Sequence, residues 1–204
     1  MRYRILICLA LTAFILCPAS ARVRNFTSSC GKQKTSIVWD GNIVKTGSQT
    51  EYYTSGADGK TTEWRLVDKS AGTDVRISME NGYYIITGTY KGDKVNRKEK
   101  SKGNPWYQKI EMNGYGPLKG CNSFKYECFG ARDLKFYVMS ATDKGPEKIE
   151  GKNAFKVKST LANGVFAGMW SCNFFFDGGT SEYIAYKSVE GAPGTPETTI
   201  ICID

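Results

Sequence analysis

The chain contains no histidine. That absence removes the Ser-His-Asp and Cys-His nucleophile arrangements, the commonest general base and the commonest metal ligand. Also missing are a G-x-S-x-G elbow, a phosphate-binding P-loop and a Rossmann glycine pattern behind a strand. Zinc held by four cysteines is disfavoured, since only Cys121 and Cys128 lie near each other in sequence. After Cys17 no apolar run approaches the roughly 20 residues of a membrane-spanning helix, and no segment sustains a helical apolar period. No transmembrane segment, metal or cofactor is therefore expected. Paired carboxylates need no histidine, but Asp40, Glu63, Glu111 and Asp177 read as turn or surface acids. Asp177 stands beside Gly178-Gly179, where turn chemistry explains it. A carboxylate-dependent hydrolase is the least favoured reading, and no catalytic residue is assigned.

The one long apolar run is at the start. "MRYRILICLALTAFILCPASA" carries Arg2 and Arg4, an apolar stretch from Ile5 to Cys17, and Ala19 and Ala21 around Ser20. This is the pattern of a secretory signal peptide over residues 1–21, and it directs the protein to the periplasm or the extracellular space. Leu16, rather than a small residue, precedes Cys17, which argues against lipid anchoring. Loss of the two arginines lowers the formal charge from +8 to +6, a moderate excess that favours anionic surfaces without choosing among them.

No composition shift, linker or repeat divides the remainder, so one domain is expected over residues 35–204, preceded by a polar N-terminal arm over 22–34. The strand pattern is strong. In "TDVRISMENGYYIITGTY" Val75, Ile77 and Met79 alternate with polar residues, and Asn81-Gly82 supplies a type I′ turn. A two-residue turn pairs Glu80 with Tyr83 and Met79 with Tyr84, which puts Val75, Ile77, Met79, Tyr84 and Ile86 on an inward face. A second turn is expected at Asp40-Gly41 or Gly41-Asn42, and further strands in "PWYQKIEMN", "SFKYECF", "DLKFYVMSA", "NAFKVKSTL", "MWSCNFFFD", "SEYIAYKS" and "TTIICID". Closely spaced strands of this kind predict an all-β domain of about ten antiparallel strands, as a curved sheet, open barrel or sandwich.

Three features remain. Five cysteines lie beyond the signal segment, and export permits disulfides; Cys121 and Cys128, which close the shortest loop, are the expected pair. The run "KGDKVNRKEKSKGN" carries Lys91, Lys94, Arg97, Lys98, Lys100 and Lys102 against Asp93 and Glu99, and reads as an exposed loop between strands. Nucleic-acid binding would need aromatics stacked beside the charge, yet Trp106 shares the parity of Ile110 and Met112 and points to the core. A protein docking an anionic partner through residues 91–102 is the second functional reading; nucleic acid is not expected. The third feature is aromatic. Trp170, Phe174 and Phe176 share one strand face, suited to a packed core or to the lining of an apolar cavity.

The segments "GNPWYQ", "LKFYVMSATDKGPEKIEGKNAFKVKSTLANGVFAGMWSCNFFF" and "YKSVEGAPGTPETTI", with Met139, Gly145, Glu147 and Ile149 in strand-and-turn positions, resemble exported bacterial proteins with a curved antiparallel sheet. Those proteins are akin to the periplasmic lipoprotein-localisation carriers. The resemblance implies an all-β fold with an apolar concave face in a bacterial envelope, and it brings no catalytic residue with it. The leading expectation is a non-enzymatic exported protein that binds a lipid or other apolar small molecule on a concave face lined by Trp106, Trp170, Phe174 and Phe176.

Overall fold

A computed structural model describes residues 23–162, 170–189 and 197–204. The expected signal segment, residues 1–21, lies outside them. Among the described residues fourteen strands, rather than the expected ten or so, follow in chain order: β1 (Arg24–Cys30), β2 (Gln33–Asp40), β3 (Ile43–Thr46), β4 (Gln49–Ser55), β5 (Thr61–Asp68), β6 (Thr73–Glu80), β7 (Tyr83–Tyr90), β8 (Asp93–Lys100), β9 (Phe124–Gly130), β10 (Lys135–Ile149), β11 (Lys152–Leu161), β12 (Ser171–Asp177), β13 (Tyr183–Val189) and β14 (Glu197–Cys202). All belong to one antiparallel sheet ordered β8-β7-β6-β5-β4-β3-β2-β1-β14-β13-β12-β11-β10-β9. Apart from β8 and β9, neighbours in sequence are neighbours in the sheet, with one long-range pairing of β1 to β14. The sheet is open. Its end strands, β8 and β9, are not paired to each other.

The β6–β7 hairpin has the register expected from Asn81-Gly82, with Glu80 opposite Tyr83 and Met79 opposite Tyr84. Val75, Ile77, Tyr84 and Ile86 are buried and Met79 is partly so. Asp40 pairs with Ile43, so the preceding turn is Gly41-Asn42. Three expectations are corrected. Residues 24–30 are no loose polar arm: they form β1, held between β2 and β14, because β14 closes the middle of the sheet only through them. The basic run is no loop: Lys91 and Gly92, both at positive φ, make a tight turn, and residues 93–100 return along β7. "PWYQKIEMN" is no strand: it makes a single parallel bridge, Trp106 to Glu127, and then a 3-10 turn at Ile110–Asn113.

Directly opposed residues of paired strands lie on one face, so the ladder registers trace each face around the sheet. Phe26 shares a face with Ile37 and, through β3 to β6, with Trp64 and Ile77; Met79 and Tyr84 continue it. In the other direction Phe26 shares that face with Cys202, Ile200, Tyr186, Phe174 and Val157, and then with Met139, Tyr126 and Cys128. Phe129, Phe136 and Glu127 sit on the opposite face of β9–β10. Yet Phe136 stacks on Tyr84 with ring centroids 3.5 Å apart, and Phe129 lies 5.6 Å from Trp64. The sheet is therefore rolled like a scroll. The β9–β10 hairpin is tucked inside, its outer face against the inner face of β5–β7. This explains why "YECF" and "FYVM" lack alternation: strands buried on both faces have no polar side to show.

Gly88 makes the tightest approach in this layer. It sits in β7 at φ +123°, and a Cβ there would fall 2.0 Å from the backbone oxygen of Asp74. A Gly88→Ala variant is expected to lose about 3 kcal/mol of stability in urea denaturation, from the strained φ and the backbone collision together. A loss below about 1 kcal/mol would show that β6 and β7 can separate there without cost.

Candidate functional site

The connection from β8 to β9, residues 101–123, runs back through the roll. Glu127 N–H donates to Pro105 O at 2.8 Å, Tyr107 N–H donates to Glu127 O at 2.9 Å, and Thr61 N–H donates to Trp106 O at 2.9 Å. The connection thus caps the free edge of β9 and ties it to the start of β5. Gln108 continues the tie: its Oε1 accepts from Phe129 N–H at 3.0 Å and its Nε2 donates to Phe129 O at 2.9 Å. Asp143 holds the far end, accepting from Tyr115 Oη at 2.6 Å and from Gly120 N–H at 2.7 Å. Burial alone would raise the Asp143 carboxyl, but these hydrogen bonds outweigh it and hold it below the usual carboxylate value.

The most enclosed acid is Glu127, which is fully buried. Its carboxylate accepts from Tyr84 Oη at 2.9 Å, Ser101 Oγ at 3.1 Å, Lys102 N–H at 3.0 Å and Asn104 N–H at 3.0 Å. Sequence reasoning missed it. An acid between Tyr126 and Cys128 in a strand with no polar face was the available signal.

The aromatic residues expected to share one face divide into two groups. Trp106 is buried edge-on to Tyr84 and Phe136, at 5.4 and 5.8 Å, and belongs to the packed layer. Phe176 is fully buried, with Tyr115 and Tyr183 rings 5.9 and 6.2 Å away. Trp170 and Phe174 instead line a cavity of about 270 Å³ between β9–β10 and β12–β14, together with Tyr107, Tyr126, Tyr183 and Tyr186. A bulge in β12–β13 between Phe175 and Phe176 brings both Tyr183 and Tyr186 to this side: Phe174 lies 5.5 Å from Tyr186 and 6.4 Å from Tyr183.

Polar groups gather at one end of the cavity. Lys109 and Glu111 line it, and Lys109 Nζ stands 3.9 Å from Glu51 Oε1. Glu51 also accepts from Tyr53 Oη and, at 3.0 Å, from Trp64 Nε1. Burial would lower the Lys109 ammonium, but Glu51 and Glu111 more than offset it, so it titrates above its ordinary value and is charged at neutral pH. Burial raises the Glu111 carboxyl, with Lys109 opposing. Burial also pushes the Cys128 thiol up to about 12. Glu111 and Tyr183 stand between this cavity and an outer cleft of about 440 Å³ that Arg24 and Trp39 help to line.

The expected Cys121–Cys128 disulfide is not formed, and there is no disulfide among the five described cysteines. From Phe124 to Cys128 the chain is extended and spans roughly 13 Å at about 3.3 Å per residue, whereas a disulfide needs Cα atoms within about 7 Å. Cys121 Sγ donates instead to Ala141 O, and Cys128 Sγ lies 3.8 Å from Gln108 O.

Among the acids weighed from sequence, only Glu111 reaches the inner cavity. Asp40 is exposed at a strand end, Glu63 is paired with Arg76 at 2.6 Å, and Asp177 accepts from Thr180 and Gly179 N–H groups within its turn. Among the described residues no group of three or more Cys, Asp or Glu side chains is placed to hold a metal ion, and no helix is long and apolar enough to cross a membrane. Of the basic residues, Lys94, Lys98 and Lys100 share the outer face of β8, Arg97 the other face, and Lys102 follows the strand.

No family model matches the sequence, and no curated protein does. Solved structures show a distant likeness. The hypothetical lipoprotein YmcC from Escherichia coli is 12% identical with a TM-score of 0.39, over 88% of this chain and 83% of that one. Lipoprotein LppX from Mycobacterium tuberculosis is 8% identical with a TM-score of 0.32, over 88% and 84%. The MucA/MucB complex of Pseudomonas aeruginosa gives 11% and 0.29, over 88% of this chain but 49% of that one. Scores at this level assign neither family nor function.

Proposed function

We propose that the protein is exported and acts without catalysis, holding the apolar part of a lipid or other small molecule in the aromatic cavity between β9–β10 and β12–β14. The observation that carries this reading is the cavity itself. Ligand sites are concave, largely aromatic or apolar, and carry a few polar groups, and this partly open space of about 270 Å³ is walled by Trp170, Phe174 and four tyrosines. It lies near the lower end of the volumes typical of ligand sites, about 300 Å³ and upward. Lys109 and Glu111 give the ligand a polar end to meet. The chemistry beside it favours holding over reacting: a thiol titrating near 12 is protonated at neutral pH and is a poor nucleophile.

Native mass spectrometry of the protein from its own envelope or secreted fraction, beside denaturing spectra, is the direct test. A mass released on denaturation is expected. Thr198 lines the cavity, so a Thr198→Phe variant is expected to weaken binding of that molecule about tenfold while changing stability by less than about 1.5 kcal/mol. A protein that stays bare after exposure to lipid extract, or a Thr198→Phe variant with unchanged affinity, would overturn the reading.

A further inference from the structure

The two ends of the sheet are treated differently. The β9 edge is capped by residues 105–107, but nothing among the described residues pairs with β8 along its outer edge. We propose that this edge takes an acidic, extended segment of a partner protein as an added antiparallel or parallel strand. In an antiparallel ladder alternate residues turn their N–H and C=O toward the neighbour. The parity is fixed here by Ser101 N–H, which donates to Gly82 O at 3.0 Å; the odd-numbered residues of β8 bond to β7, and Lys94, Asn96, Lys98 and Lys100 direct their backbone groups outward. The same four residues place their side chains on the convex face, opposite Thr89, Thr87, Ile85 and Tyr83. All four are exposed, and Lys98 Nζ lies 4.1 Å over the Tyr83 ring.

Lysines on an edge strand ordinarily deter pairing with another edge, and that deterrence depends on the sign of the incoming charge. A second copy of this chain would set lysine against lysine, which is unfavourable, on molecules that already carry a net positive charge. A strand with glutamate or aspartate at alternate positions would meet three lysines across the pair and four open sets of backbone donors and acceptors. Strand addition of this kind draws affinity from the backbone and selectivity from alternate side chains. The charge complementarity therefore selects an acidic polypeptide as the occupant.

The test uses a short synthetic peptide alternating glutamate with threonine, and the same peptide N-methylated at the residues whose N–H groups would face β8. Titration calorimetry is expected to show binding that weakens with salt, is weakened about tenfold by N-methylation, and slows amide exchange at Lys94, Asn96, Lys98 and Lys100. An Asn96→Pro variant removes one outward N–H without touching the β7 ladder, a placement that edge strands tolerate, and should cost a similar factor. If that variant fails to fold, the N-methylated peptide decides alone. Equal binding of the two peptides would reduce the effect to charge attraction, and absence of binding would remove it; either result overturns the proposal.

Discussion

A Glu127→Ala variant is expected to lose about 3–5 kcal/mol of unfolding free energy, because it leaves several buried hydrogen-bond donors without an acceptor at once. The carboxylate gathers four donors: the Tyr84 and Ser101 hydroxyls and the N–H groups of Lys102 and Asn104. Removing it strands polar groups inside the roll, and an unsatisfied buried donor costs about 1–3 kcal/mol. It also frees the chain leaving β8, which must turn sharply to place Trp106 beneath β7. Urea denaturation of the variant measures the loss. Glu127→Gln should fall between the variant and the wild type, since one oxygen remains while an NH₂ group confronts the donors. A loss below about 1 kcal/mol in Glu127→Ala would mean that water replaces the carboxylate and that residues 101–104 are not held by it.

The second large effect concerns Trp106. Its buried ring packs edge-on against the stacked Tyr84 and Phe136 pair, away from the residues that line the aromatic cavity. Trp106→Ala is expected to cost about 3–5 kcal/mol by lost transfer energy and the void left behind. Trp106→Phe should cost less, because the aromatic contact survives in part. Denaturation midpoints of both variants, read beside ligand binding by the protein that remains folded, separate two roles. A Trp106→Ala protein of near-normal stability that no longer binds ligand would return Trp106 to the ligand-binding surface. Unfolding without a specific loss of affinity in the residual folded fraction keeps it in the core.

These two residues mark where sequence reasoning reached and stopped. The parity of Trp106 with Ile110 and Met112 placed it toward the core, and it is buried, although the strand that carried the parity is replaced by a bridge and a 3-10 turn. The expected concave face joined Trp106 to Trp170, Phe174 and Phe176, whereas Trp106 packs against Tyr84 and Phe136 and it is Trp170 and Phe174 that line the cavity. Residues on one face of one sheet need not see one another when the sheet rolls: Trp106 meets the layer between β5–β7 and β9–β10, whereas Phe174 looks into the space beyond. The bulge at Phe175–Phe176, which recruits Tyr183 and Tyr186, has no mark in "NFFFDGGTSEYIAY" that distinguishes it from regular alternation.

The basic run shows the other failure. Composition made it a loop, because charge dominates residues 93–100 and only Val95 is apolar. An edge strand over a curved face needs little burial of its own, since β7 supplies a complete ladder of backbone partners, so its sequence has no reason to alternate strongly. The disulfide expectation failed similarly: Cys121 and Cys128 are close in sequence and permitted by export, but an extended strand between them holds them apart.

What the sequence determined by itself is the all-β class, the antiparallel order of neighbours and the register of hairpins such as Asn81-Gly82, since turn residues and period-two alternation act over a few residues. Only the tertiary structure decided which layer each aromatic joins, why Glu127 is buried, how Lys109 meets Glu51, and which edge is left open. Those depend on the sheet's roll, which brings β7 against β10 and passes the β8–β9 connection between them. The contacts responsible lie dozens of residues apart, and no local pattern encodes the curvature that creates them.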